Sequence, residues 1–456
     1  MKMIREVLST RCDTPSSPPA GPRRVLTLSI ALAVGGLTTV APASAQTTSE
    51  PVPFTSFLSG LSNARAAEFI GRPGAAVQDE AAFEEIRNHL LRVYDGQDVR
   101  NSFLQDAQTF DCISLAEQPA KRLQGLTSFA APPPFSPQAA FGRPATPADG
   151  GVGLPADAAN LACPNGSFAM PRMTLDQIGH FGSLQAFFDK GPNGAGQVHV
   201  PGYELTKPSI NGHAYSVALQ AVNNWGGQST QSLNDPYVNE QLGEVFSLMQ
   251  NWYVGGSGSG TQTAEVGWQN YPTRYGDEYP RLFAYWTADD YNRTGCYNYE
   301  CGAFVQVAGA PISLGQRWTN YSVPGGTQYS ITIGYYLYQG NWWLAYGSGW
   351  VGYYPGSLYG GGQLALNATM IEFGTESVGT EGQWPPEGSG YFASAGSPYS
   401  GFQRAIYYRG PNGTLNYPSL TSLQLSPSCY TDTSQTYGGS IWQYYFYLGG
   451  PGGTGC

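Results

Sequence analysis

Two glutamates stand in segments that otherwise read as β-strands: Glu265 in "QTAEVGWQNYP" and Glu376 in "TMIEFGTES". Charged residues make up only 12% of the 456-residue chain, and glutamate is a poor strand former, so each needs a reason. Side chains alternate between the two faces of a strand. Glu265 therefore shares a face with Thr263, Gly267 and Gln269, while Ala264, Val266 and Trp268 point the other way. Glu376 shares a face with Glu372 and Gly374, opposite Ile371 and Phe373. Each acid lies on the more polar face near a glycine, which predicts either a solvated surface or the floor of a polar groove.

Two carboxylates brought close together on a concave sheet do not both ionise easily. One keeps a proton and the other is a base. The base takes a proton from water as it attacks a carbonyl; the acid steadies the developing oxyanion and then protonates the leaving amine. Such a pair needs no metal or cofactor and works best in acid, where it carries one proton. Alternation alone does not select these two residues. Asp277, Glu278, Asp289, Asp290, Glu300, Glu372 and Glu381 start on equal terms, because a glutamate on a strand face is ordinarily just solvated.

The elements that must position the pair are short. From about residue 213, apolar or aromatic runs such as "HAYSVALQAV", "EVFSLMQNWYV", "RLFAYWTAD", "CGAFVQV", "TQYSITIGYYLY", "NWWLAYGSGWVGYYP", "RAIYYRG" and "SIWQYYFYLGG" follow one another, each bounded by Gly, Pro, Asn or Asp. With 60 glycines, 31 tyrosines and 10 tryptophans, the expected fold is an all-β antiparallel sandwich over 206–456. A smaller mixed region, 46–205, precedes it. There "DEAAFEEIRNHLLRVYDG" has the spacing of an amphipathic helix, and a Pro/Ala/Gly stretch after Cys112 reads as an extended arm.

Residues 1–45 read as an export signal: Arg23 and Arg24, an apolar run, then Ala43-Ser44-Ala45, leaving Gln46 first in the mature chain. "RRVLTL" has a faint twin-arginine character. No later segment suits a membrane span, and a secreted protein, extracellular or periplasmic, is expected. Cys12 falls in the leader, and six cysteines remain. An even count in an exported chain suggests disulfides. Sequence proximity favours Cys296–Cys301 and Cys429–Cys456, leaving Cys112–Cys163, among the about 15 pairings open to six cysteines. The cysteine and histidine spacing does not suit zinc. The formal net charge of -10 argues against nucleic acid. Part of it reflects scarce lysine (Lys2, Lys121, Lys190, Lys207), and sparse charge suits tolerance of acid. A serine-protease reading needs a histidine base; His89, His180, His199 and His213 all lie at or before the first sandwich strand, and no "GxSxG" elbow occurs.

The segment "AEVGWQNYPTRYGDEYPRLFAYWTADDYNRTGCYNYECGAFVQV" resembles the neprosin family of glutamic peptidases. So do "GNWWLAYGSGWVGYYPGSLY", "IEFGTE", "GSGYF" and the tail "SCYTD…YFYLGGPGG…C", in the family's order from about residue 213 to the end. The preceding region, including "FDCISLAEQP", is similar to the family's pro-region. The resemblance places the two catalytic acids at Glu265 and Glu376 and a groove-lining glutamine at Gln250. Where plant members usually have two glycines before the second acid, this chain has Gly374-Thr375, which is expected to add bulk beside the site. The resemblance implies a secreted, acid-active endopeptidase made as a zymogen, with a polypeptide substrate, cleavage after proline in its best-known members, and a catalytic domain of two packed antiparallel sheets. The pro-region is expected to act as inhibitor, its acid-rich helix and proline arm covering the groove at neutral pH, and the protein is expected to be a monomer. The competing readings are a glycan-binding or glycan-hydrolysing sandwich, since paired carboxylates also cleave glycosides, and a non-catalytic surface module.

Overall fold

A computed structural model describes residues 50–141, 154–155, 163–192 and 212–456. The export leader, its cleavage site and the boundary drawn at 205/206 lie outside the described residues. No helix among the described residues is long and apolar enough to cross a membrane.

The N-terminal part is mixed. Helix α1 (Phe54–Asn63) packs on helix α2 (Glu80–Tyr94). Asp79 starts α2 by accepting from the Ala82 N–H, and Phe83, Ile86, Leu90 and Val93 form the buried stripe that the spacing predicts. A three-stranded sheet follows, of β1 (Ser102–Gln105), β2 (Gln108–Ser114) and β3 (Ser167–Pro171), in that order. The Cys112–Cys163 disulfide closes onto it. Cys296–Cys301 and Cys429–Cys456 are also formed, so all three expected pairings hold.

The larger part is a sandwich. Its strands are β4 (His213–Asn224), β5 (Gly226–Ser232), β6 (Glu244–Gly255), β7 (Gln262–Asn270), β8 (Arg281–Thr287), β9 (Cys296–Tyr297), β10 (Val305–Gln306), β11 (Tyr329–Tyr338), β12 (Asn341–Tyr346), β13 (Gly349–Pro355), β14 (Ala368–Gly379), β15 (Gly401–Arg409), β16 (Thr421–Gln424), β17 (Thr431–Asp432) and β18 (Tyr444–Gly449). One sheet runs β9-β8-β7-β6-β14-β4-β16, antiparallel throughout. The other has β10-β13-β12-β11-β5-β15-β18-β17 as its main path, with short strands branching from it. Tyr253, Val266, Trp268, Ile371 and Phe373 of the first sheet share one core with Ile331, Ile333, Tyr335 and Leu337 of the second. Trp268 thus faces inward, as its alternation from Glu265 predicts.

Strand β5 has no apolar residue, yet all seven of its residues are buried. Hydrogen bonds replace apolar packing there. Ser229 Oγ and Gln231 Nε2 both donate to Asn251 Oδ1, at 2.9 and 3.0 Å, and Asn251 Nδ2 donates to the Ile333 carbonyl in the facing sheet. Gly226, at φ 101°, passes so close to β11 that a Cβ would stand 2.0 Å from the Tyr335 carbonyl oxygen. Two segments differ from expectation. "CGAFVQV" yields only the two-residue β10, and "NWWLAYGSGWVGYYP" folds into the β12–β13 hairpin.

Among the described residues, the proline-rich arm is not seen on the acidic face. Its residues 126–141 lie on the outer face of the second sheet, where Phe135 and Phe141 pack on Tyr336, Tyr338 and Tyr407. Trp350 Nε1 donates to the Phe135 carbonyl at 2.8 Å, and the Ala130 N–H donates to Tyr353 Oη at 2.7 Å. For residues 126–141 this differs from the expectation that the arm lies over the groove. The aromatic outer face of β11 to β13 and β15 captures the arm because it offers apolar area and backbone partners that the arm cannot supply to itself.

Candidate active site

The first sheet fixes the acids by register. Strand β6 runs between β7 and β14, and Gln250 on it lies opposite Gly267 on one side and Gly374 on the other. Glu265 stands two residues from Gly267, opposite Trp252, and Glu376 stands two residues from Gly374, opposite Leu248. The acids therefore approach Gln250 diagonally from flanking strands, on one face. The glycines permit this: a Cβ would stand 1.9 Å from the Met249 carbonyl oxygen at Gly267 and 2.4 Å from the Ser216 carbonyl oxygen at Gly374.

That face points away from the second sheet and is wholly buried, because the segment after the short helix Leu184–Phe188 fills it. Lys190 Nζ lies 2.6 Å from Glu265 Oε2 and 2.7 Å from Glu376 Oε2. One ammonium thus bridges both carboxylates, with Trp252 and Tyr291 rings 5.4 and 5.7 Å from its nitrogen. Burial alone would favour the neutral amine, but the two glutamates outweigh it and hold the Lys190 pKa above the ordinary lysine value.

The two acids have different surroundings. His213 Nδ1 donates to Glu376 Oε1 at 2.6 Å, and Gln250 Nε2 donates to Glu376 Oε2 at 3.0 Å. Glu265 Oε1 accepts from two hydroxyls, Thr263 Oγ1 and Tyr291 Oη, each at 2.7 Å. Burial pushes Glu376 up, but the Lys190 ammonium and the His213 hydrogen bond outweigh it and hold the carboxyl down at about 2. Tyr215, directly across from Glu376 on β4, is held well above the ordinary tyrosine value by burial and by both glutamates.

The segment carrying Lys190 is gripped along its backbone. Arg274 Nη2 donates to the Phe187 carbonyl at 2.6 Å, Tyr285 Oη to the Phe188 carbonyl at 3.2 Å and Tyr297 Oη to the Lys190 carbonyl at 2.7 Å. Gly191 then passes against His213, where a Cβ would come within 3.2 Å of Nε2. Beyond it opens a cleft of about 400 Å³, bordered by Asp189, Pro192, Glu244, Tyr271 and Glu381.

Glu265, Glu376 and Gln250 thus meet in one place. The other carboxylates have different duties. Glu300 pairs with Arg274, Asp277 with Arg281, and Asp289 accepts from the Thr294 backbone and hydroxyl. Glu372 shares the row of Glu265 across Trp252 and is buried. Thr375 corrects the expectation of added bulk. Its side chain points to the opposite face of β14, where Oγ1 donates to Glu387 Oε2 at 2.5 Å, so the groove gains nothing from it. Trp268 and Trp342 lie in the core between the sheets, so these two tryptophans serve packing and not a sugar-stacking surface. Sequence reasoning gave no role to Lys190 or His213. Lysine scarcity was the one signal for the first, and a histidine opening the first sandwich strand was the signal for the second.

The chain is a peptide hydrolase of the glutamic peptidase class. Residues 243–451 match the family model described as Neprosin. Glu265, Glu376 and Gln250 fall inside the matched span; Lys190 and His213 precede it. Solved structures similar to this chain include two of scytalido-glutamic peptidase, one with a transition state analog inhibitor and one with a peptide based transition state analog. Each has a TM-score of 0.27 and 10% identity; they cover 51% and 52% of this chain, and 96% and 97% of their own.

Proposed function

We propose that Glu265 and Glu376 are the hydrolytic pair of an endopeptidase, and that Lys190 holds that pair inactive in a precursor. The observation that carries this reading is the single ammonium between Glu265 Oε2 and Glu376 Oε2. With Lys190 withdrawn, a water of similar size fits between the same two oxygens. Glu376, which keeps N–H donors from His213 and Gln250, is the base that takes the water's proton as the water attacks the peptide carbonyl. Glu265 is the acid of the pair: it steadies the oxyanion and passes a proton to the leaving amine. Tyr285 and Tyr297, which donate to carbonyls of the blocking segment, are placed to donate to a substrate backbone in its stead.

The pro-region of 46–205 is, on this reading, an inhibitor in cis. Activation requires acid, which discharges the glutamates, and cleavage in the stretch after Pro192. The enzyme is exported and acts as a monomer outside the cytoplasm, where its three disulfides persist. Cleavage after proline is the specificity to test first, by resemblance to the family. The deciding experiment is digestion of a denatured protein mixture at several pH values with the new peptide termini sequenced, run beside Glu265→Gln and Glu376→Gln. New termini that persist in both variants would remove this pair from the reaction.

A further inference from the structure

The imidazole of His213 is held on every side. Its ring stacks on Tyr215 at 6.1 Å and 17° and meets Phe246 edge-on at 6.0 Å. Nδ1 is 2.6 Å from Glu376 Oε1, and its Nε2 edge is covered by Gly191 of the blocking segment. Because an ionised carboxylate can only accept, Nδ1 carries the proton. His213 lies opposite Val378 and Tyr215 opposite Glu376, so the histidine reaches the acid diagonally across the β4–β14 pair.

We propose that His213 is a positioning residue of the hydrolytic pair, which orients the Glu376 carboxylate and keeps it ionised in acid once Lys190 has left. The inference rests on the reading of Glu265 and Glu376 given above. Six groups face Glu376: Lys190 from the blocking segment, His213 and Tyr215 from β4, Gln250 from β6, Glu265 across Lys190, and Tyr297 from β9. Glu387 adds a like charge from behind β14 if it ionises. When the blocking segment departs, its ammonium departs too. Among these groups, His213 and Gln250 are the N–H donors that stay, and His213 is the one on Oε1, the oxygen that neither Lys190 nor Gln250 is seen to hold. Without it, a buried base beside a second carboxyl picks up a proton at higher pH and stops acting as a base. Departure of Gly191 also uncovers the Nε2 edge, so the ring faces the groove that substrate enters.

The test compares acid-activated wild type with His213→Gln and His213→Asn, measuring kcat and KM on one peptide across pH. His213→Asn keeps an N–H donor at the position of Nδ1 but cannot take up a proton. The expected result is KM within about twofold, kcat down about tenfold, and the acid limb of kcat/KM moved up by about one pH unit. His213→Gln, whose amide lies one bond beyond the position of Nδ1, is expected to lose more. Superimposable pH profiles with unchanged kcat would overturn the proposal. If neither variant folds, the His213 ring is titrated by NMR in wild type and Glu376→Gln. A midpoint displaced by about one pH unit supports the coupling, and an unmoved midpoint overturns it. Glu376→Gln separates the two readings: an active Glu376→Gln defeats the hydrolytic pair, whereas an inactive one beside an unaltered His213→Gln defeats this inference alone.

Discussion

Thr375 Oγ1 donates to Glu387 Oε2 at 2.5 Å, directly behind the strand residue that carries the Glu376 carboxylate forward. Ser377 Oγ completes the grip on Glu387 Oε1 at 2.9 Å. Burial pushes the Glu387 carboxyl up to about 8, against the pull of these two hydroxyls. The folded chain therefore keeps a proton that the unfolded chain has already released. Stability falls as pH rises from the ordinary glutamate range towards about 8. Glu387→Gln, which cannot ionise, is expected to melt at nearly the same temperature at both ends of that window. Thermal denaturation of both proteins across it checks the difference, and parallel slopes would rule Glu387 out as the source.

Glu376 behaves in the opposite sense. Its folded value of about 2 lies below that of an unfolded glutamate, so its contribution is fully present above the unfolded pKa. It drains away as pH falls towards about 2. The precursor is thus expected to stay intact and inactive near neutrality, and to release and process itself progressively in that acid window. Incubation across pH, with the N-terminus of the mature fragment sequenced, measures this; a fragment beginning near residues 200–213 is expected.

Lys190→Met removes the ammonium and leaves two buried carboxyls face to face. Breaking such a contact costs about 3–5 kcal/mol while the remaining charges stay unpaired. The variant precursor is expected to melt lower near pH 7 and to process itself at higher pH than wild type. Equal melting temperatures and equal processing profiles would show that the bridge does not hold the precursor closed.

Glu265→Gln and Glu376→Gln keep the size of each side chain and remove its proton chemistry. Each is expected to lower kcat by at least about 100-fold in acid, with the near-UV circular dichroism unchanged. Gln250→Ala is expected to cost less, about tenfold, since Glu376 keeps its bond to His213.

Much of the site was legible before the fold. Alternation put Glu265 and Glu376 on the polar faces of their strands, and Gly267 and Gly374 marked where neighbouring backbones come close. The family blocks then chose this pair from the other carboxylates. What stayed hidden was long-range. Lys190 sits in "FFDKGPNG", where no local pattern tells that its side chain enters a groove built by strands much later in the chain. His213 has a neighbour, Glu376, fixed only by the pairing of β4 with β14. Strand β5 was missed for another reason. It holds only Gly, Gln, Ser and Thr, and hydrophobic periodicity says nothing about a strand buried through hydrogen bonds.

The arm along the outer face of the second sheet has a consequence for how latency ends. Phe135 and Phe141 remain anchored among tyrosines on one side of the molecule while Lys190 plugs the other. A nick in the linker severs one covalent tie and leaves both footholds in place. On the proposed reading, scission and dissociation are separate events: the cut propeptide is expected to persist as a bound competitor, so that dilution or its digestion, more than the nick itself, sets the moment at which hydrolysis begins.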